Sequence, residues 1–141
     1  MVKDLPNVYK LKGVDSLTEI DIALTKASRQ LSASSNSKRA CIEIVSDVLL
    51  QHHAVFSRKW LSSFLPNMKS QGFTTLAVID PTMHSPEETQ ATLSLFDGEI
   101  RVAEKESGKG MQKVLKILKL YNQRYLEDEL VLTKEKLRLF R

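Results

Sequence analysis

The chain has 141 residues, the length of one domain with a single core. Apolar residues make up 42% of it and charged residues 27%, which is the makeup of a folded protein. One cysteine excludes an intramolecular disulfide and a CxxC site, and a net charge of +4 permits polyanion binding without predicting it. No apolar run approaches the roughly 18 residues that span a bilayer, and no signal-peptide core is present, so we expect a cytoplasmic protein without membrane contacts.

The first predicted element is a helix. An apolar stripe at spacings of three and four residues places five side chains on one helix face: Leu17, Ile20, Leu24, Ala27 and Leu31. Ser16, followed three residues later by Glu19, forms a capping box at its start. The small polar residues 32–37 that follow are typical of a surface loop.

A strand, a helix and a second strand come next. Residues 40–45 are short and rich in β-branched side chains, which predicts a strand buried on both faces with Cys41 in the core. The helix has a bend at Pro66, an end at Gly72 and a buried stripe of Ser57, Leu61, Phe64, Leu65 and Met68. Residues 73–79 predict another apolar strand, which ends at Asp80.

The remaining third of the chain changes character. Ser85 and Glu88 predict the start of a third helix that turns Ala91 and Leu95 inward and ends before a turn at residues 96–98. Alternation from Glu99 onward predicts a β-hairpin with its turn at residues 107–110. Residues 130–140 fit a second hairpin or a helix, and we favour the hairpin.

Together these elements predict an α/β fold: a mostly parallel central sheet, helices on its faces and an antiparallel C-terminal hairpin. Ligands of such sheets bind beyond the carboxyl ends of the strands. That rule selects two segments, residues 43–47 and 80–84, with Asp80 and His84 as candidates at the second one.

Glu43 is the most informative position, because a carboxylate in an apolar strand is costly to bury without a partner. Nucleotide-hydrolysing folds place a magnesium-contacting acid in this way, and a structural salt bridge or exposure at a sheet edge would explain it as well. Residues 40–50 resemble the Walker B strand of the archaeal-type KaiC/RecA-like ATPase family. In that resemblance Glu43 matches the acid, and Ser46 and Asp47 match the turn after it.

Further segments resemble the same family in order and spacing, namely residues 56–78, 95–100 and 116–121, so the resemblance covers roughly residues 7–132. It implies a partial RecA-like three-layer fold, with residues 1–141 as one domain. In the family's closing strand a lysine and an arginine approach the nucleotide of a neighbouring subunit. Lys119 matches the lysine, and Tyr121 stands at the position of the arginine.

The family's phosphate loop, GxxxxGK[ST], has no counterpart in these 141 residues, since Gly108 and Lys109 are followed by Gly110. Without the loop's amides and lysine a triphosphate has no cradle, so we expect no ATP or Mg²⁺ cofactor and no catalysis. In the family the loop's strand lies between the strands that match residues 74–79 and 99–102. Those strands then either pair with each other or leave edges for another chain, which predicts self-association.

Two other functions remain as alternatives. His52, His53 and His84 could gather near Glu43 or Asp80 as metal ligands, although adjacent histidines point in different directions and surface histidines are more common. A basic hairpin face could contact nucleic acid, although glutamates interrupt it; its candidates are Lys113, Lys116, Lys119 and Arg124. The favoured hypothesis is a non-catalytic RecA/KaiC-like interaction or regulatory module that binds itself or a protein partner, with a nucleotide-binding remnant as a further alternative.

Overall fold

The computed structural model describes residues 7–31 and 37–138. It divides into two compact units, the first ending at Leu95 and the second beginning at Phe96. The elements of the first unit are α1 (Leu17–Leu31), β1 (Lys38–Ile42), α2 (Val45–Ser70), β2 (Phe73–Ala77), a 3-10 turn (Pro81–Met83) and α3 (Pro86–Leu93). Those of the second are β3 (Gly98–Ser107), β4 (Gly110–Leu120), β5 (Leu130–Leu132) and α4 (Lys134–Arg138).

Helix α1 confirms the predicted start, because the Ser16 hydroxyl accepts a hydrogen bond from the Glu19 N–H at 3.2 Å. Its apolar stripe places Ile20 in the core, while Leu31 at the far end is exposed. The predicted loop after it falls mainly on residues 32–36, which lie outside the described residues.

The order strand, helix, strand is also confirmed, since β1 and β2 pair in parallel with Lys38 beside Phe73 and Ile42 beside Ala77. Helix α2 packs against this sheet. Only the sheet face that carries Ile42 is buried, however, and Cys41 on the other face is exposed. The prediction of a strand buried on both faces with Cys41 in the core was therefore wrong: one layer of helices covers one face.

Helix α2 carries most of the core of this unit, including Leu61, Phe64 and Met68 from the predicted stripe. Its backbone breaks at His53 (φ 60°, ψ 170°), and Pro66, where a bend was predicted, lies inside the helical segment that follows. The buried Ser57 hydroxyl donates to the Val48 carbonyl at 3.1 Å and so ties the two helical segments together across the break.

The third helix begins as predicted, with the Ser85 hydroxyl accepting from the Glu88 N–H at 3.2 Å. Its buried side chains are Thr89 and Thr92, whereas the apolar residues expected to point inward are only half-buried. The capping residues located the helix, but they do not determine which of its side chains are enclosed.

In the second unit β3 and β4 form the predicted antiparallel hairpin, with a bulge between Glu99 and Ile100. Strand β5 pairs antiparallel with β4 and is followed by the one-turn helix α4. The tail is therefore a strand and a short helix, and a separate tail hairpin was the wrong choice; residues 139–141 are not described.

The described strands make a mixed α/β structure with one two-stranded parallel sheet and one three-stranded antiparallel sheet. Strands β2 and β3 thus belong to different sheets, so the two strands that were expected to flank the phosphate-loop strand do not pair with each other. None of the helices in residues 7–31 and 37–138 is long and apolar enough to cross a bilayer.

Candidate functional site: the open parallel sheet

The predicted site at the carboxyl ends of β1 and β2 is partly assembled, because Ser46 and Asp80 meet there. The Asp80 N–H donates to the buried Ser46 hydroxyl at 3.0 Å. Ser46 and Asp47 lie in the first turn of α2, which begins at Val45, so the turn expected at these two residues was wrong. The Ser46 hydroxyl thus links the segment after β2 to the first turn of α2, which follows β1.

Asp80 itself caps the 3-10 turn. Its carboxylate accepts from the Thr82 hydroxyl at 2.7 Å and from the Thr82 N–H at 2.9 Å. These two bonds, with a smaller contribution from the charge of His84, hold the pKa of Asp80 below its ordinary value. The His84 Nε2 atom is enclosed and has no hydrogen-bond partner in the described part of the chain. The arrangement stabilises a turn and presents no paired acid and base.

The other predicted site residues do not converge on Asp80. Glu43 is exposed beyond the end of β1, which bears out the edge-exposure alternative, and it lines an apolar groove. Asp47 is exposed and lines a separate cavity beside Gly13 and Leu50. The acid and the turn of the Walker B-like segment are thus directed to different surroundings.

The histidines also lie apart. The His52 Nε2 atom is hydrogen-bonded to the Val14 carbonyl at 2.6 Å, and His53 lies at the break in α2. Among residues 7–31 and 37–138 no three His, Cys, Asp or Glu side chains are grouped so that they could hold a metal ion. The histidine site suggested by the sequence is therefore not formed in the described residues.

The uncovered face of the β1–β2 sheet is the feature that the sequence reasoning missed. Register places Cys41 beside Leu76, and Leu76 and Val78 are 54% and 48% exposed. Parallel sheets in proteins are almost always covered on both faces. A signal was available in the strand itself, because Arg39 and Glu43 lie on the same face as Cys41 at a spacing of two, and charges in that pattern favour a face that is open to solvent.

A second open feature lies along β1. An apolar groove of about 300 Å³ is lined by both Cys41 and Ile42. No residue of β2 lines the groove, which therefore borders the carboxyl-terminal part of β1 on the side away from β2. The rest of the lining comes from the N-terminal segment, α1, α2 and the two residues after β1: Tyr9, Leu11, Ile20, Ala23, Leu24, Ala27, Glu43, Ile44, Trp60 and Phe64.

The basic residues of the hairpin do not form one face. Lys113 lies opposite Glu104 and Lys119 opposite Glu99, so each has an acid as its cross-strand neighbour. Lys116 lies three residues from Lys113 in β4 and therefore points to the other face of the sheet. The bulge shifts the alternation beyond Ile117, so Lys119 shares the face of Lys116. The expectation of a single basic face was wrong, because the strand period separates Lys113 from the other two lysines.

Arg124 is exposed and lies in the segment that connects β4 to β5. Its neighbour Tyr125 donates a hydrogen bond to the Leu118 carbonyl at 3.3 Å, which fixes the segment beside β4. The predicted nucleic-acid residues of β4 are thus divided between the two faces of the sheet.

No protein-family model matches this chain, and no match is found among curated proteins. The resemblance to the KaiC/RecA-like family consequently remains a prediction from the motifs.

Proposed function

We propose that this chain is an interaction module that associates with itself through the uncovered face of its β1–β2 sheet. The observation that carries the proposal is the exposed apolar patch of Cys41, Leu76 and Val78 in the middle of a parallel sheet. The apolar side chains of this face are in contact with water, and a second copy of the chain can bury them. The module binds protein and performs no chemistry of its own.

The charges around the patch support a symmetric pairing. Arg39 lies on the exposed face at the start of β1, and Glu43 follows its end, so a cation and a carboxylate flank Cys41. When two such faces meet in opposite directions, each Arg39 approaches the partner's carboxylate and like charges stay apart. Complementary charges of this kind select the orientation of a contact more than its strength.

For the complete set of 141 residues we propose the fold of a partial RecA/KaiC-like domain of archaeal type. It is supported by the parallel strand, helix, strand unit, by an acid directly after β1 and by an antiparallel hairpin towards the C-terminus. In such a domain the β1–β2 strands would belong to a larger three-layer sheet. The uncovered face would then be a surface against which a further layer of protein packs.

Sedimentation equilibrium of the purified chain over a wide concentration range tests the proposal. We expect a reversible monomer–dimer equilibrium that shifts to dimer as concentration rises. A single monomeric mass at every concentration would overturn self-association through this face.

A further inference from the structure

Helix α2 carries two exposed apolar side chains directly after its break. Val55 is 76% exposed and Phe56 is 66% exposed, although the helix supplies most of the core of its unit. The break at His53 has a positive φ, which is uncommon for a residue other than glycine. It ends the first helical segment, so Val55 and Phe56 lie in the first turn of the segment that follows. We call these two residues the apolar tip.

Two cations follow the apolar tip within about one helical turn. Arg58 and Lys59 are both exposed. Lys59 comes four residues after Val55 and three after Phe56, and these spacings place it on the same helix face as the tip. The fully buried Leu61 lies on the opposite face. The outer face of this segment therefore begins with apolar side chains and continues with a cation one turn further along.

The charges near this face in the sequence are of one sign. Residues 48–79 contain no Asp or Glu and three basic residues, namely Arg58, Lys59 and Lys69, and the whole chain carries a net charge of +4. A surface with charges of one sign attracts anions and repels its own counterpart on a second copy. An anionic partner is therefore favoured for this face.

The distance between the apolar tip and the cations favours a lipid surface. At a rise of about 1.5 Å per residue, Lys59 lies roughly 4.5–6 Å from the tip along the helix axis. Apolar side chains of peripheral helices reach about 5–10 Å into the boundary between headgroups and acyl chains. A helix that enters this boundary with the tip first keeps the ammonium of Lys59 at the level of the phosphates. Single-stranded nucleic acid is bound by stacking rings, whereas the more exposed side chain of the tip is the aliphatic Val55.

We propose that the apolar tip, together with Arg58 and Lys59, binds the surface of anionic lipid membranes. The first turn of a helix makes such a contact, so the lack of long apolar runs, from which we expected no membrane contacts, does not bear on it. The tip lies on α2 and not on the β1–β2 sheet. This inference therefore goes beyond self-association, and either proposal can fail without the other.

The probes are two vesicle preparations, one of phosphatidylcholine alone and one with about 30% phosphatidylserine added. Co-sedimentation with the vesicles measures the bound fraction of the unmodified protein. We expect saturable binding to the anionic vesicles that weakens as salt is added, and little binding to the neutral ones. Absence of binding to the anionic vesicles, or binding of a labelled single-stranded oligonucleotide in their place, would overturn the proposal.

Helix α1 offers a matched control, because the exposed Ile22 is followed four residues later by the exposed Lys26. Val55→Ser should weaken binding to the anionic vesicles about fivefold or more, and Ile22→Ser should leave it unchanged. Lys59→Glu and Lys26→Glu alter the net charge equally. The first should weaken binding about fivefold or more, and the second about twofold at most. Equal losses within either pair would refute a contact at the tip.

Phe56→Trp adds a readout that does not depend on a loss of binding. Its new indole should shift its emission to shorter wavelength on anionic vesicles, and Ile22→Trp should show no such shift; the native Trp60 is buried and contributes a constant background. An unshifted emission from bound Phe56→Trp would place the tip outside the lipid and refute the proposal.

Two variants separate this contact from the proposed dimer. Leu76→Ser removes a side chain of the uncovered sheet face and should still bind the anionic vesicles, whereas Phe56→Ser should keep the association measured by sedimentation equilibrium. Loss of vesicle binding in Leu76→Ser but not in Phe56→Ser would assign the lipid contact to the sheet face. Weaker self-association of Phe56→Ser would assign the tip to a second copy. Either result would overturn the proposal.

Discussion

Leu76→Ser is the sharpest test of self-association through the uncovered sheet face. Leu76 lies at the centre of the patch and is 54% exposed, with Val78 beside it at 48%. About half of its side chain is already covered in the monomer, so the substitution should lower the stability of the monomer by about 1 kcal/mol. The effect on association is measured separately, at protein concentrations where both variants are folded.

The size of that effect follows from the exposure. Complete burial of a leucine or valine side chain is worth about 1.5–3 kcal/mol, and about half of each side chain is still in contact with water, so its coverage is worth about 1 kcal/mol. A symmetric dimer covers two copies of Leu76. Leu76→Ser should then cost about 2 kcal/mol per dimer, which raises the dissociation constant roughly 30-fold.

Sedimentation equilibrium of both proteins measures this ratio directly. Val55→Ser is the control, because Val55 is 76% exposed on α2 and lies off the β1–β2 sheet. It removes a comparable apolar side chain and should leave the dissociation constant unchanged. Equal weakening by the two substitutions, or none by Leu76→Ser, would refute the assignment of the interface to this sheet face.

Three further predictions concern single interactions. Thr82→Val removes the hydroxyl that contributes most to the low pKa of Asp80, so NMR titration should show this pKa rising towards 3.8. Because folding lowers the pKa of Asp80, its ionised carboxylate stabilises the protein at a pH above the pKa of the unfolded chain. This stabilisation is lost as the pH falls through the pKa of the folded state, and Thr82→Val should lose less stability on acidification than the unmodified protein. Trp60→Phe removes the bond to Asp21 and should lower the free energy of unfolding in urea by about 2 kcal/mol. Thr92→Val replaces a buried hydroxyl that has no partner in the described residues and should raise that free energy by about 1 kcal/mol.

Conservative variants serve as controls for these three. Thr82→Ser keeps the hydroxyl and should leave the pKa of Asp80 low, whereas a low pKa in Thr82→Val would exclude the hydroxyl as its cause. Asp21→Asn keeps an acceptor for Trp60 and should cost less than Trp60→Phe. If Thr92→Val unfolds at a lower urea concentration than the unmodified protein, the Thr92 hydroxyl has a bonding partner and the prediction is wrong.

Local signals in the sequence were sufficient for most helix starts and for the hairpin. The cap residues Ser16 and Ser85 act as expected, because an N-cap bond forms within four residues and needs no tertiary contact. The alternation from Glu99 likewise identified β3. Burial was predicted less well, as Cys41 and Thr92 show: an apolar side chain is enclosed only if another layer reaches it, and that depends on the whole fold.

In the candidate site, too, some contacts could be predicted from the sequence and others could not. Sequence reasoning placed Ser46 and Asp80 at neighbouring strand ends, and their hydrogen bond confirms that they meet. The sequence did not predict that the Asp80 carboxylate accepts a hydrogen bond from the Thr82 N–H, because that hydrogen bond depends on the backbone path after β2. It also combined Lys113 and Lys116 in one surface, although a strand period of two separates them.

The two sheets also differ in how far apart along the chain their partners lie. Lys38 pairs with Phe73 across 35 residues of chain, whereas Ser107 pairs with Gly110 across a tight turn. Closing the longer loop costs more chain entropy before any strand contact is gained, so distant pairs form late in folding. In pulsed hydrogen exchange during refolding, the amides of β3 and β4 should become protected before those of β1 and β2. While the hairpin is already formed, the backbone of β1 is still able to pair with whatever strand it meets first.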